Sequence, residues 1–156
     1  MVGVTTENIA CISDSHVEIN NSIQFFDGIS TEDIQQILIK SANDLISLEA
    51  PNYQFVAARL LLFSLRKKLF HKLWEHPTLL EQINSCIKIG VYDKDILNKY
   101  TTAEIDRLNG FIDHERDYSF TYAGLRQVMD KYLVQDRSNG DIFETPQFMY
   151  MMIAAT

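Results

Sequence analysis

The sequence is short of the residues that punctuate, cross-link or anchor a chain. Its 156 residues include two cysteines, three prolines and six glycines. Cys11 and Cys86 form no CxxC pair and no closely spaced framework, which excludes a disulfide scaffold and a zinc ribbon. With so few breakpoints, and no Pro/Ser-rich, repetitive or low-complexity stretch, there is no flexible linker between separate domains. Positive charge is scarce as well: 14 Lys and Arg against 21 Asp and Glu give a formal charge of −7. A general nucleic-acid binder needs a basic stripe to displace counterions from phosphates, so that class is excluded. No apolar run approaches the ~20 residues of a membrane-spanning helix. The first twenty residues carry Glu7, Asp14 and Glu18 where a signal peptide has a continuous apolar centre. A cytoplasmic, reducing setting is the expectation.

What is present is a mainly helical chain able to bury a core. At 46% hydrophobic and 22% charged residues it is neither disordered nor membranous, and a chain this long buries roughly 70% of its unfolded surface. Ser30-x-x-Asp33 reads as a cap, and Ile34, Ile37, Leu38, Ala42, Leu45 and Ile46 follow at helical spacing, predicting a helix from about 31 to 47. Pro51 stands just ahead of a second helix, Tyr53 to about Trp74, whose apolar residues cover more than one face and so belong between neighbours. A third follows Pro77 and stops at Gly90. Thr101-x-x-Glu104 opens a short helix, Tyr122 to about Lys131 forms another, and Asn139-Gly140 turns a hairpin near 132–144. Residues 147 to 155 read as an apolar, uncapped helix that needs a partner surface or an unusual fold-back; the C-terminus looks like a cut.

Catalytic signatures are absent. There is no phosphate loop, dinucleotide-binding turn, nucleophile elbow or H-E-x-x-H pair. His71 and His76 straddle a helix end with Glu75 the only nearby carboxylate, and read as solvated helix-end residues rather than metal ligands. The cluster from Asp113 to Asp117 reads as a wet loop of ion pairs. Positive charge concentrates in Arg66-Lys67-Lys68, where cations complement a helix C-terminus; paired with Thr31 at a helix start, the run also offers an anion site.

Several strings then become familiar: Ile23-Gln-Phe-Phe-Asp-Gly-Ile-Ser-Thr31, Ala50-Pro-Asn-Tyr-Gln-Phe-Val-Ala-Ala-Arg59, Leu65-Arg-Lys-Lys68, Phe111-Ile-Asp-His-Glu-Arg-Asp117, Lys131-Tyr-Leu-Val-Gln135 and Glu144-Thr-Pro-Gln-Phe148. In order and without large gaps, they resemble the N-terminal portion of the large (alpha) subunit of class I ribonucleoside-diphosphate reductase, of the aerobic bacterial and bacteriophage type.

The resemblance implies an oxidoreductase that makes deoxyribonucleotides by cysteine thiyl radical chemistry. Its partners would be the remaining catalytic part of the alpha subunit, a radical-generating beta subunit, and thioredoxin or glutaredoxin. It implies a helical ATP-cone remnant over residues 1–70, then the start of the subunit's N-terminal helical domain over 71–156, ahead of the catalytic barrel. Thr31 and Lys67 match family positions that contact the allosteric effector, ATP or dATP, whereas Gln35 replaces a histidine found in some members. The family's catalytic cysteines lie beyond Thr156, and neither Cys11 nor Cys86 falls in a matching motif; Cys86 reads as a buried helix thiol. No catalytic or metal-binding residue is expected, and no membrane or nucleic-acid partner. The alternative is a stand-alone, non-catalytic nucleotide-binding or docking module.

Overall fold

A computed structural model describes residues 28–71 and 75–156. Cys11, the string from Ile23 to Asp27 and the predicted end of the second helix at Trp74 lie outside the described residues. The rest is mostly helical with one small antiparallel hairpin, as expected.

Helix α1 spans Thr31–Asp44. Ser30 caps it by accepting the Asp33 amide at 3.0 Å, and the first-turn carboxylates Glu32 and Asp33 face the positive end of the helix dipole. It ends three residues before the predicted boundary, because the Ile46 amide turns back to the Asn43 carbonyl. Helix α2, Tyr53–Phe70, follows Pro51 and stops where His71 takes a left-handed conformation, φ 55°. Its buried residues, from Ala57 to Arg66, lie on more than one face, as the all-round apolar pattern required.

Two capping boxes start the next long helices. In α3, Leu79–Lys88, the Thr78 amide donates to Glu81 at 2.8 Å, and in α5, Thr102–Asn109, the Thr101 amide donates to Glu104 at 2.8 Å. The first of these boxes went unread in the sequence. Between them lies a single turn, α4, Ile96–Lys99, and Gly90 takes the left-handed conformation expected of it, φ 78°. A 3-10 turn, His114–Ser119, leads to α6, Tyr122–Lys131. Strands β1, Gln135–Asp136, and β2, Asp141–Ile142, pair around the Asn139-Gly140 turn, with Gln135 opposite Ile142.

The last helix, α7, runs Pro146–Ala155, and of the two routes to burial expected for it, a partner surface or a fold-back, it takes the fold-back. Two apolar clusters form the core, and α7 is wedged into both. Met149 joins Ile39, Leu62, Leu65, Leu125 and Val128 among α1, α2 and α6. Phe148, fully buried, joins Leu79, Ile83, Ile96 and Ile105 among α3, α4 and α5. Only the outer flank of α7, with Tyr150 and Ile153 at 47% and 65% exposure, faces away.

Candidate functional site

The two residues matched to effector contacts meet. Thr31 opens α1 and Lys67 stands in the last turn of α2, and the Lys67 ammonium donates to the Thr31 hydroxyl at 3.4 Å. The α1–α2 pairing sets this geometry, because antiparallel packing returns the end of α2 to the start of α1. Thr31 also donates to the Glu32 carboxylate at 3.2 Å. The corner is exposed and mixed in charge: one ammonium and one hydroxyl lie beside the carboxylates of Glu32 and Asp33. A polyphosphate held at Thr31 and Lys67 needs positive charge beyond Lys67 to outweigh these two.

The neighbouring cation behaves differently, and the basic-run reading of it requires correction. Arg66 is 1% exposed and aims inward, one helical step away from Lys67. It donates to the Tyr118 hydroxyl at 2.9 Å and the His114 carbonyl at 2.8 Å, and pairs with Asp117 at 3.4 Å. Its guanidinium lies 5.0 Å from the centre of the Tyr118 ring. Asp117, also 1% exposed, accepts from Gln147 of α7 at 2.9 Å. Burial raises the Asp117 carboxyl above its usual range, against the opposing pull of Gln147 and Arg66. The predicted wet charge cluster is therefore anchored by a buried ion pair that joins α2, the 3-10 turn and α7, while Asp113, Glu115 and Arg116 keep the solvated character expected of it, Arg116 pairing with Asp113 at 3.5 Å on the surface.

The histidines also depart from expectation. His76 is not a solvated helix-end residue: its ring stacks on His114 at 3.9 Å between centroids, and burial, with the Arg66 charge, lowers it to about 4. His71 is exposed, as expected. A second buried network lies across α3 and the hairpin. Tyr92 donates to Glu144, which also accepts the Val134 amide at 2.8 Å. Gln82 bonds the Phe143 carbonyl at 2.8 Å and lies 3.2 Å from the Cys86 sulfur. Burial, then the Glu144 charge, pushes the Cys86 thiol up to about 11. It is thus an inert buried thiol, as predicted, since thiolates carry the redox chemistry of cysteine. Among the described residues no three His, Cys, Asp or Glu side chains are grouped to hold a metal, and no helix is long and apolar enough to cross a membrane.

These networks could be glimpsed only in part. Arg66 stands four residues after Leu62, on the apolar stripe, and a cation there demands a buried acceptor. Nothing in the spacing identifies that acceptor as Asp117, nor pairs Tyr92 with Glu144.

Residues 118–156 match the family described as "Ribonucleotide reductase, all-alpha domain". The chain is 46% identical over 149 residues to ribonucleoside-diphosphate reductase 1 subunit alpha of Escherichia coli strain K12, covering 96% of this chain and 19% of that one. It is 43% identical over 150 residues to the alpha subunit of Haemophilus influenzae, covering 96% and 20%. Against the subunit of Enterobacteria phage T4 the identity is 48% over 127 residues, covering 81% and 17%. The chain spans about a fifth of the length of these relatives.

Proposed function

This chain is a homologue of the N-terminal region of ribonucleoside-diphosphate reductase alpha subunits, and from that premise we propose that it serves the allosteric regulation and subunit architecture of such an oxidoreductase. In this reading residues 1–70 are a partial ATP cone and 71–156 begin the helical domain ahead of the catalytic barrel. ATP or dATP binds at the corner of Thr31 and Lys67. Among the described residues the core does not divide at residue 70, since α2 packs on α6 and α7, and a change at the corner reaches α7 through these contacts.

The single observation that carries the reading is the meeting of Thr31 with Lys67, 36 residues later, at the two positions expected to touch effector. The reduction itself belongs to the remaining catalytic part of the alpha subunit, with the beta subunit and thioredoxin or glutaredoxin, in the cytoplasm. The inert Cys86 thiol fits that division of labour. The test is complementation. Added to the remaining subunit portion and the beta subunit, the chain should restore diphosphate reduction and its response to dATP. Lys67→Ala should restore reduction while losing the response. No gain of activity sinks the proposal.

A second reading, a docking module without nucleotide binding, is favoured by the carboxylates of Glu32 and Asp33 at the corner. It predicts restored reduction with no nucleotide response in either form.

A further inference from the structure

We infer that the stacked His76–His114 pair is an acid-sensitive clasp, which holds the connection entering α3 against the 3-10 turn and α7 and releases it when either ring takes a proton. The two imidazoles lie 3.9 Å apart, 24° from parallel. Phe70 of α2 meets His76 edge-on at 5.8 Å and Phe148 of α7 meets His114 at 5.0 Å, so the stack closes a small aromatic box over the core. Both Nδ1 atoms are buried with no hydrogen-bond partner. Neutral rings tolerate that arrangement as flat apolar surfaces. A protonated ring does not: its charge is buried with an unpaired N–H, and its neighbour on α2 is the Arg66 guanidinium, which donates to the His114 carbonyl at 2.8 Å.

The surrounding charges are disposed to keep the rings neutral. From α2 the facing group is Arg66. From the 3-10 turn Asp113 favours a charged His114, but burial, the partner ring and Arg66 outweigh it, lowering His114 to about 4. Asp117 is already taken by Arg66 and Gln147, and Glu115 and Arg116 are exposed. On the α3 side Glu75 and Glu81 are exposed, and Cys86 holds its proton. Helix α7 contributes Phe148 and Gln147, neither of which titrates. Release would widen a cavity of about 540 Å³ that His76 lines together with Phe70, Gln82 and Cys86.

Hydrogen exchange on the full chain at pH 7 and pH 4.5, corrected for the intrinsic rate, tests the clasp. Protection over 75–82 and 113–119 should fall about tenfold in acid while Leu61 to Leu65 change less than about twofold. The His76→Phe, His114→Phe double variant keeps an aromatic stack with both proton sites removed and should hold its protection at both pH values, while either single variant, with one imidazole left, should lose less than the wild type. A wild type without this local loss, or variants that lose as much, would overturn the clasp. A histidine NMR titration needs no substitution: both rings should titrate well below 6.5, and ordinary midpoints would refute it.

Discussion

Replacing Arg66 with methionine tests what holds α2, the 3-10 turn and α7 together. The substitution keeps an unbranched side chain and removes three hydrogen bonds, to Tyr118, His114 and Asp117. Asp117, 1% exposed, is left with Gln147 at 2.9 Å and no counter-charge. Removing one partner of a buried ion pair costs about 3–5 kcal/mol, because the remaining charge stays desolvated. The raised Asp117 carboxyl limits the loss, since the lone group escapes part of it by taking a proton. The expected loss is about 3–4 kcal/mol, a large share of a typical folding free energy of about 5–15 kcal/mol. Guanidinium denaturation of the full chain at pH 7, followed by circular dichroism, reads it directly. Arg66→Met with Asp117→Leu should regain at least half the loss, because no uncompensated charge remains. A single variant costing under about 1 kcal/mol, or a double variant no more stable than the single, would refute the reasoning.

Phe148→Ala should cost about 3–5 kcal/mol by opening a cavity where α7 enters the core, whereas Ile153→Ala on the exposed flank should change stability by less than about 0.5 kcal/mol; equal effects in denaturant melts would contradict the wedge. Tyr92→Phe strips a donor from the buried Glu144 carboxyl and should cost about 1–3 kcal/mol, more than Glu144→Gln, which can accept the Val134 amide and donate to the Tyr92 oxygen. Stability should also fall as pH drops from 6.5 towards 4. Unfolded imidazoles bind protons there that folded His76 and His114 do not, so the unfolded state gains. Burial raises Asp117 and Glu144, which therefore favour the folded state on acidification and temper the fall. The His76→Phe, His114→Phe double variant should flatten the slope in a series of denaturant melts across that range; an unchanged slope would count against it.

Local signals revealed most of the helices and the hairpin because their causes are local. Thr101-x-x-Glu104 closes its own box, Asn139-Gly140 makes its own turn, and Gly90 ends its own helix. The Thr31–Lys67 corner was legible for a different reason: a basic run and a helix-start hydroxyl already offered an anion site, and the family likeness singled out Lys67 within that run. Long-range satisfaction was not legible. Arg66 looked like one of three cations on a helix end because its acceptors lie 48 to 52 residues away. His76 looked solvated because its stacking partner lies in another element. The 147–155 segment looked orphaned because its apolar faces join two clusters drawn from six other helices, most of them distant in sequence.

Calorimetric titration of the full chain with ATP and dATP bears most directly on the regulatory role. Saturable binding, lost in Lys67→Ala and weakened in Thr31→Ala while both variants keep the wild-type circular dichroism spectrum, is the predicted result. No binding heat in the wild type, or undiminished binding in Lys67→Ala, would contradict an effector site at the α1–α2 corner.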